Sequence, residues 1–280
     1  MRVVTGLFPS AGSVHVWHAV DSGLFQAADL DVEIVHVRSS DEQMAAWDGG
    51  DLTVMHTSPD HLLRVRGRDP VAVRAEGLGE ITVYARPEVD LSGPAVRWGV
   101  DGADSAFALV LRAVLEHAGT HATPEDLVPV GGTMQRAEAL WSGTIDGAAL
   151  HAPFDLQAEE RGFRRLGGHL DVLPDLTTVV LVGARAELHS PAVRSYVATL
   201  DESRGQLLAG GPAAVAAALV RRGWPHDQSM AAASQVLSTA GLAGGDERLT
   251  AGLRAAVDLR QRMITDWSPP SPVESLIASI

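Results

Sequence analysis

Two stretches of the chain repeat one arrangement of potentially reactive residues, WDGGDLTVMHTSP at 47–59 and WSGTIDGAALHAP at 141–153. Each reads as a helix end, a tight Gly turn, a short buried strand and a His at the strand's carboxyl end, where open α/β sheets bind ligands. His titrates near neutral pH, so His56 and His151 can act as base, acid, hydrogen-bond donor or metal ligand. His15 and His18, three residues apart, fall on one side of a helix, and His15 joins the candidate set. His61, His117, His121, His169, His189 and His226 read as surface positions, the usual place for polar side chains.

What is missing bounds the rest of the chemistry. The 280 residues include no Cys, and all 22 basic residues are Arg. Thiolate nucleophiles, thiolate metal sites and disulfides are therefore excluded, as is a lysine Schiff base with pyridoxal phosphate. The histidines lack an H-x-H or H-E-x-x-H spacing, so neither a metal nor another cofactor is expected. A net charge of −13 without a basic run argues against nucleic acid and anionic membrane as partners. No run approaches the ~20 apolar residues of a membrane helix, which leaves a small molecule as the expected partner. The start, MRVVTGLFPSAGS, passes from Met1 directly into a strand pattern without a charged leader or apolar signal region. That reads as cytoplasmic, or as periplasmic or extracellular if a leader has been removed.

Alternating short apolar runs and amphipathic stretches must position these groups. Strands are expected at 2–7, 31–37, 52–55, 71–76 and 81–85, with helices at 14–22, 41–47 and 60–65. After a Pro-bounded polar link at 87–94 the alternation restarts, with strands at 96–100, 127–130 and 145–150 and helices at 105–117, 134–141 and 154–161. The charge cluster at 159–165 reads as a solvated helix end. Residues 177–182 read as a strand returning to the first lobe, followed from 190 by Ala-rich helices with breaks near Gly210, Trp224 and Gly244. The fold class is α/β, with two lobes of mainly parallel sheet and a cleft between them. Lobe 1 takes residues 1–88 and 176–280, with the C-terminal helices packed on it, and lobe 2 takes 89–175.

The segments DSGLFQAADLDVEIVHVRSSDEQMAAWDGGDLTV (21–54) and WGVDGADSAFALVLRAVLEHAG (98–119) carry a family resemblance. They are similar to class II periplasmic substrate-binding proteins of the taurine, nitrate and thiamine-pyrimidine-precursor group, whose superfamily includes cytoplasmic enzymes. The match continues through 131–153 and covers residues 1–185 in order. It implies a ligand held in the interlobe cleft, partly by helix N-termini. On that basis Ser10, Gly12 and Ser13 can hold a ligand through free backbone N–H groups, although Ser13 can equally cap its helix. Asp101, Asp104 and Ser105 form the corresponding turn of the second lobe, where Asp104 can equally cap and Asp101 face water. The two carboxylates oppose an anion and suit a neutral, heteroaromatic or amine-bearing ligand. Thr57, Ser58, Gly132, Thr133, Phe154 and Asp155 complete the expected pocket. Trp17 either stacks on a planar ligand or lies in the core.

The function expected from this is binding of a small, polar, planar or aromatic organic molecule, with a transporter permease as partner only if the chain is exported. The alternative is an enzyme on the same scaffold. Relatives that depend on Cys or a lysine-bound cofactor cannot be copied here, which leaves a lyase-type reaction. His56, His151 and His15 would be its acids and bases, oriented by Asp60 or Asp155.

Overall fold

The computed structural model describes residues 1–65, 67–77, 79–91, 96–238 and 246–280. Their strands, in chain order, are β1 (Arg2–Leu7), β2 (Asp31–His36), β3 (Val54–Thr57), β4 (Pro70–Glu76), β5 (Thr82–Ala85), β6 (Trp98–Val100), β7 (Leu127–Pro129), β8 (Gly147–Leu150), β9 (Arg164–Gly168) and β10 (Val179–Ala184). The helices are α1 (Val14–Asp21), α2 (Leu24–Ala27), α3 (Ser40–Asp48), α4 (Pro59–Arg64), α5 (Ala106–His117), α6 (Thr133–Trp141), α7 (Phe154–Glu160), α8 (His169–Val172), α9 (Pro191–Val220), α10 (His226–Ser238) and α11 (Asp246–Met263). The mixed α/β architecture expected from the alternation is what forms. No helix among the described residues is long and apolar enough to cross a membrane.

The chain divides into two compact units. The first comprises Met1–Gly79, Thr177–Leu253 and Pro269–Ile280, and the second Glu80–Leu176 and Arg254–Ser268, so α11 contributes residues to both. The sheet of the first unit has the order β2-β1-β3-β10-β4. β1 pairs in parallel with β2 and β3, while β10 is antiparallel to β3 and β4. Gln43 of α3 ties β1 to β3: its buried amide donates to Gly6 O at 3.2 Å and to His56 O at 3.0 Å. β3 starts later than the apolar run suggests, because pairing of His56 with Leu181 and Thr57 with Val180 carries it two residues further. His56 therefore lies inside the strand and not at its carboxyl end.

α9 supplies most of the helical cover of this unit. Tyr196, Leu200, Ser203 and Leu207 recur at helical spacing and are all buried, the stripe that lets a helix face a core. The break expected near Gly210 is found at Gly211, whose φ of 61° lies outside the helical region, next to Pro212. The break near Gly244, and residues 92–94 of the link, lie outside the described residues.

The sheet of the second unit has the order β7-β6-β8-β5-β9, with β6, β7 and β8 parallel and β5 antiparallel to β8 and β9. Trp98, Val100, Leu109, Leu111 and Leu115 belong to its buried core. Arg164 and Arg165, expected to end a solvated helix, instead open the edge strand β9. Arg164 and Arg165 remain exposed there, as charged side chains on an unpaired edge do. Gly147 permits a close approach within this sheet. A Cβ at that position would fall 2.2 Å from Trp98 Cζ3 and 2.8 Å from the Tyr84 carbonyl. Gly147→Ala is expected to destabilise the protein by about 1–3 kcal/mol, as overpacking does. An unchanged urea midpoint would contradict this packing.

Candidate functional site

Each unit carries a buried polar cluster at its strand ends or within its sheet. In the first, the carboxylate of Glu76, the last residue of β4, meets two imidazoles. Its Oε1 lies 3.1 Å from His15 Nε2 and its Oε2 2.6 Å from His56 Nδ1. His15 comes from α1 and His56 from β3, and their rings meet edge-on at 5.7 Å. The other ring nitrogen of His56 is 2.9 Å from the Tyr196 hydroxyl, which donates to Thr5 Oγ1 at 3.1 Å. Tyr196 stacks on Phe25 at 5.3 Å, and Ser203 Oγ holds the His15 carbonyl at 2.6 Å. Every member of this chain of contacts is buried.

Burial by itself would push the Glu76 carboxyl up, but the charge and hydrogen bonds of His56 and His15 outweigh it, and the group is held well below the usual carboxylate range. Burial lowers His15, with Glu76 offsetting only part of the effect. Burial likewise raises Tyr196, which keeps its hydroxyl proton. His15 Nδ1 finds no partner among the described residues.

The other first-unit candidates are dispersed around this cluster. Ser10, Gly12 and Ser13 lie in the loop after β1 and are buried. Ser13 Oγ donates to Phe8 O at 2.8 Å and does not cap α1, whereas Ser10 Oγ is buried without a partner among the described residues. Trp17 is 3% exposed, with the Arg222 guanidinium 5.9 Å from its ring centre, which places it in the core. Thr57 pairs with His61, a residue expected at the surface that is buried instead. Ser58 caps α4 by accepting from Asp60 N at 3.2 Å, and Asp60 lies 3.9 Å from Arg64.

The second cluster forms where β6 and β8 end. His151 directly follows β8 and is buried. Its Nδ1 donates to the Ala152 carbonyl at 3.0 Å, so its Nε2 accepts the hydrogen of Thr133 Oγ1 at 2.9 Å. Beneath Thr133 lies Arg136, an almost fully buried guanidinium that sequence reasoning missed. It donates to Ala149 O, Gly131 O and Thr133 Oγ1 at 3.1, 3.1 and 2.8 Å, and it lies 3.7 Å from Asp101. The Phe107 ring covers it, 4.7 Å from the guanidinium carbon and 6.0 Å from the His151 ring. The available signal was an Arg one helical turn after Gly-Gly-Thr, a pattern too common to single out.

Ser105, not Asp104, caps α5: its Oγ accepts from Ala108 N at 3.2 Å and donates to Asp101 Oδ1 at 2.5 Å. The Asp101 side chain is 7% exposed and does not face water, whereas that of Asp104 is 65% exposed. Gly132 is the N-cap residue that precedes α6. Asp155 is buried and accepts from Leu156 N at 2.8 Å, beside the half-buried Phe154. His169, also expected at the surface, is buried, and its Nδ1 accepts from Ile81 N at 2.9 Å.

Of the three histidines singled out, His15 and His56 come together in the first unit, and His151 belongs to the second with partners of its own. No metal was expected from local spacing, yet His15, His56 and Glu76 place ligand atoms within 4.8 Å of one another. Separations of 41 and 20 residues in sequence hid that grouping.

No protein-family model matches the chain, and none of the curated proteins does. Solved structures do match, over essentially its whole length. The ligand-binding component of an ABC-type import system from Staphylococcus aureus, with zinc bound, superposes at a TM-score of 0.78 with 17% identity, covering 100% of this chain and 97% of that one. The alkanesulfonate-binding protein SsuA from Xanthomonas axonopodis pv. citri, bound to MOPS, gives 0.74 and 16%, covering 100% and 98%. A Candida albicans gene product described as having the generic periplasmic binding protein fold gives 0.72 and 11%, covering 100% and 96%. The chain has the periplasmic binding protein fold.

The second unit's histidines set a pH response. Burial drives both His151 and His169 down to about 4 from an ordinary value near 6.5, and each spends a ring lone pair as an acceptor. Below pH 6.5 the unfolded chain takes up protons that the folded chain refuses until about pH 4. Stability is therefore complete above this window and falls on acidification, by up to about 3 kcal/mol per histidine. Urea midpoints measured from pH 7.5 to 4.5 should decline, with a shallower slope for His169→Gln. A flat profile would contradict the assignment.

Proposed function

We propose that the chain binds a small, planar, polar organic molecule that is neutral or amine-bearing. The observation that carries this reading is the Thr133–His151–Arg136–Asp101 cluster at the carboxyl ends of the adjacent parallel strands β6 and β8, where ligands of open α/β sheets bind. Thr133 offers a hydroxyl oxygen and Phe107 an aromatic face to a flat ligand. Asp101 offsets the charge of Arg136, which favours a neutral or cationic ligand over a second anion. In the first unit, the buried and unpartnered hydroxyl of Ser10 supports a role for the loop after β1. The import and alkanesulfonate-binding proteins of the same fold take small ligands, which supports a small molecule as the partner. A transporter permease fits as partner if the chain is exported, and intracellular sensing fits if it is not.

A second reading, acid–base catalysis of the lyase type, is favoured by one observation. Thr133 Oγ–H is already aligned on the free lone pair of a neutral His151. Melting-temperature shifts across a panel of planar heteroaromatic amines and acids test both. One chemical class should raise Tm by several degrees at about 100 times its Kd. Thr133→Ala should weaken that ligand about tenfold, the worth of one hydrogen bond, while exchange of the exposed His121 for Ala leaves it unchanged. Turnover of the bound compound that disappears in His151→Ala would establish the catalytic reading. Affinity indifferent to Thr133→Ala would sink the site.

A further inference from the structure

We propose that His15, His56 and Glu76 form a metal site for one divalent cation of the zinc type. Two imidazoles and a carboxylate converge from α1, β3 and β4, all three residues under 5% exposed, with ligand atoms within 4.8 Å of each other. Nothing in the binding reading requires this cluster.

The placement of protons is what points to a cation. The single hydrogen of the Tyr196 hydroxyl goes to Thr5 Oγ1, so its oxygen accepts from His56, and His56 carries its proton on Nε2. That leaves Nδ1 as a bare lone pair 2.6 Å from Glu76 Oε2. Lone pair against carboxylate is repulsive at this distance unless a positive species lies between them. Only a second proton or a metal ion meets that condition. His15 presents Nε2 to the other oxygen of the same carboxylate at 3.1 Å.

Two further features fit a metal. The Nε2–H of His56 is fixed by Tyr196, which is fixed by Thr5, the outer hydrogen-bond support that metal-bound histidines ordinarily have. The donor set of nitrogen and carboxylate oxygen suits Zn²⁺, with bonds of about 2.0–2.2 Å. Tetrahedral ligands on such bonds lie about 3.3 Å apart, so the observed 3.1 and 2.6 Å spacings need to open by about 0.2 and about 0.7 Å. The burial of all three ligands favours a site occupied during folding over one filled later from solvent.

The test uses the full chain, unfolded in chelator and refolded with and without one equivalent of Zn²⁺ or Co²⁺. The expected result is one zinc retained per chain after desalting, a Tm raised by roughly 5 °C, and visible d–d absorption from the cobalt form. Glu76→Gln should lose stoichiometric retention, and His121→Ala should keep it. If Glu76→Gln does not fold, the cobalt spectrum of the wild type decides. Wild-type protein that refolds with no retained metal and an unchanged Tm overturns the proposal and assigns the cation as a proton on His56. Retention equal in Glu76→Gln also overturns it. Organic-ligand shifts measured in chelator are read separately, so failure here leaves the binding reading to its own test.

Discussion

The first unit depends on keeping one carboxylate ionised out of contact with water. Glu76 ends β4 beneath α1 and α9, where an unpaired charge would cost several kcal/mol. Its two oxygens meet imidazole nitrogens of His15 and His56; the His56 ring is held by the Tyr196 hydroxyl, which Thr5 holds in turn, and Ser203 holds the His15 backbone carbonyl. The cluster joins β1, β3, β4, α1 and α9 at one point. Removing any member strands the others, since a buried polar network is stabilising only when its members are satisfied. The packing around it, including the Phe25–Tyr196 stack and the Leu200–Leu207 stripe of α9, seals it from solvent.

The second unit solves the converse problem with a buried cation. Arg136 is lowered by burial, partly offset by Asp101, and its donors are distributed over two backbone carbonyls and the Thr133 hydroxyl. That spreading of charge aligns Thr133 on His151, and the Ala152 carbonyl fixes which nitrogen of His151 accepts. One set of contacts thus stabilises the strand ends of β6 and β8 and also presents a preorganised donor and acceptor pair there. Preorganised polar groups at strand ends are the form of site that a small ligand exploits.

The paired stretches around Trp47 and Trp141 show how far sequence reading reached. Both helix ends and Gly turns form where the pattern put them, because periodicity and turn residues are local, while β3 forms two residues later than the pattern placed it. The two histidines are nevertheless not equivalent. His56 stands nine residues after its Trp and His151 ten after its own, and in a strand one residue changes the face a side chain takes. His56 is drawn inside β3 by antiparallel pairing with β10, which begins more than a hundred residues later. His61 and His169 were placed at the surface by their polarity, yet burial followed once Thr57 and the Ile81 amide supplied hydrogen bonds. Those partners are non-local or depend on a side-chain rotamer, so composition carries no trace of them.

The sequence by itself determined the α/β class, the placement of most strands and helices, and the chemistry ruled out by the absence of Cys and Lys. These follow from residue type and short-range period. Only the tertiary structure decided which polar groups meet. Glu76, Tyr196 and Arg136 each sit within ordinary apolar or amphipathic runs, and they become members of a site when elements 13 to 140 residues apart pack together. The physical reason is that a buried charge selects its partners in space, through desolvation and hydrogen-bond geometry, and neither acts along the chain.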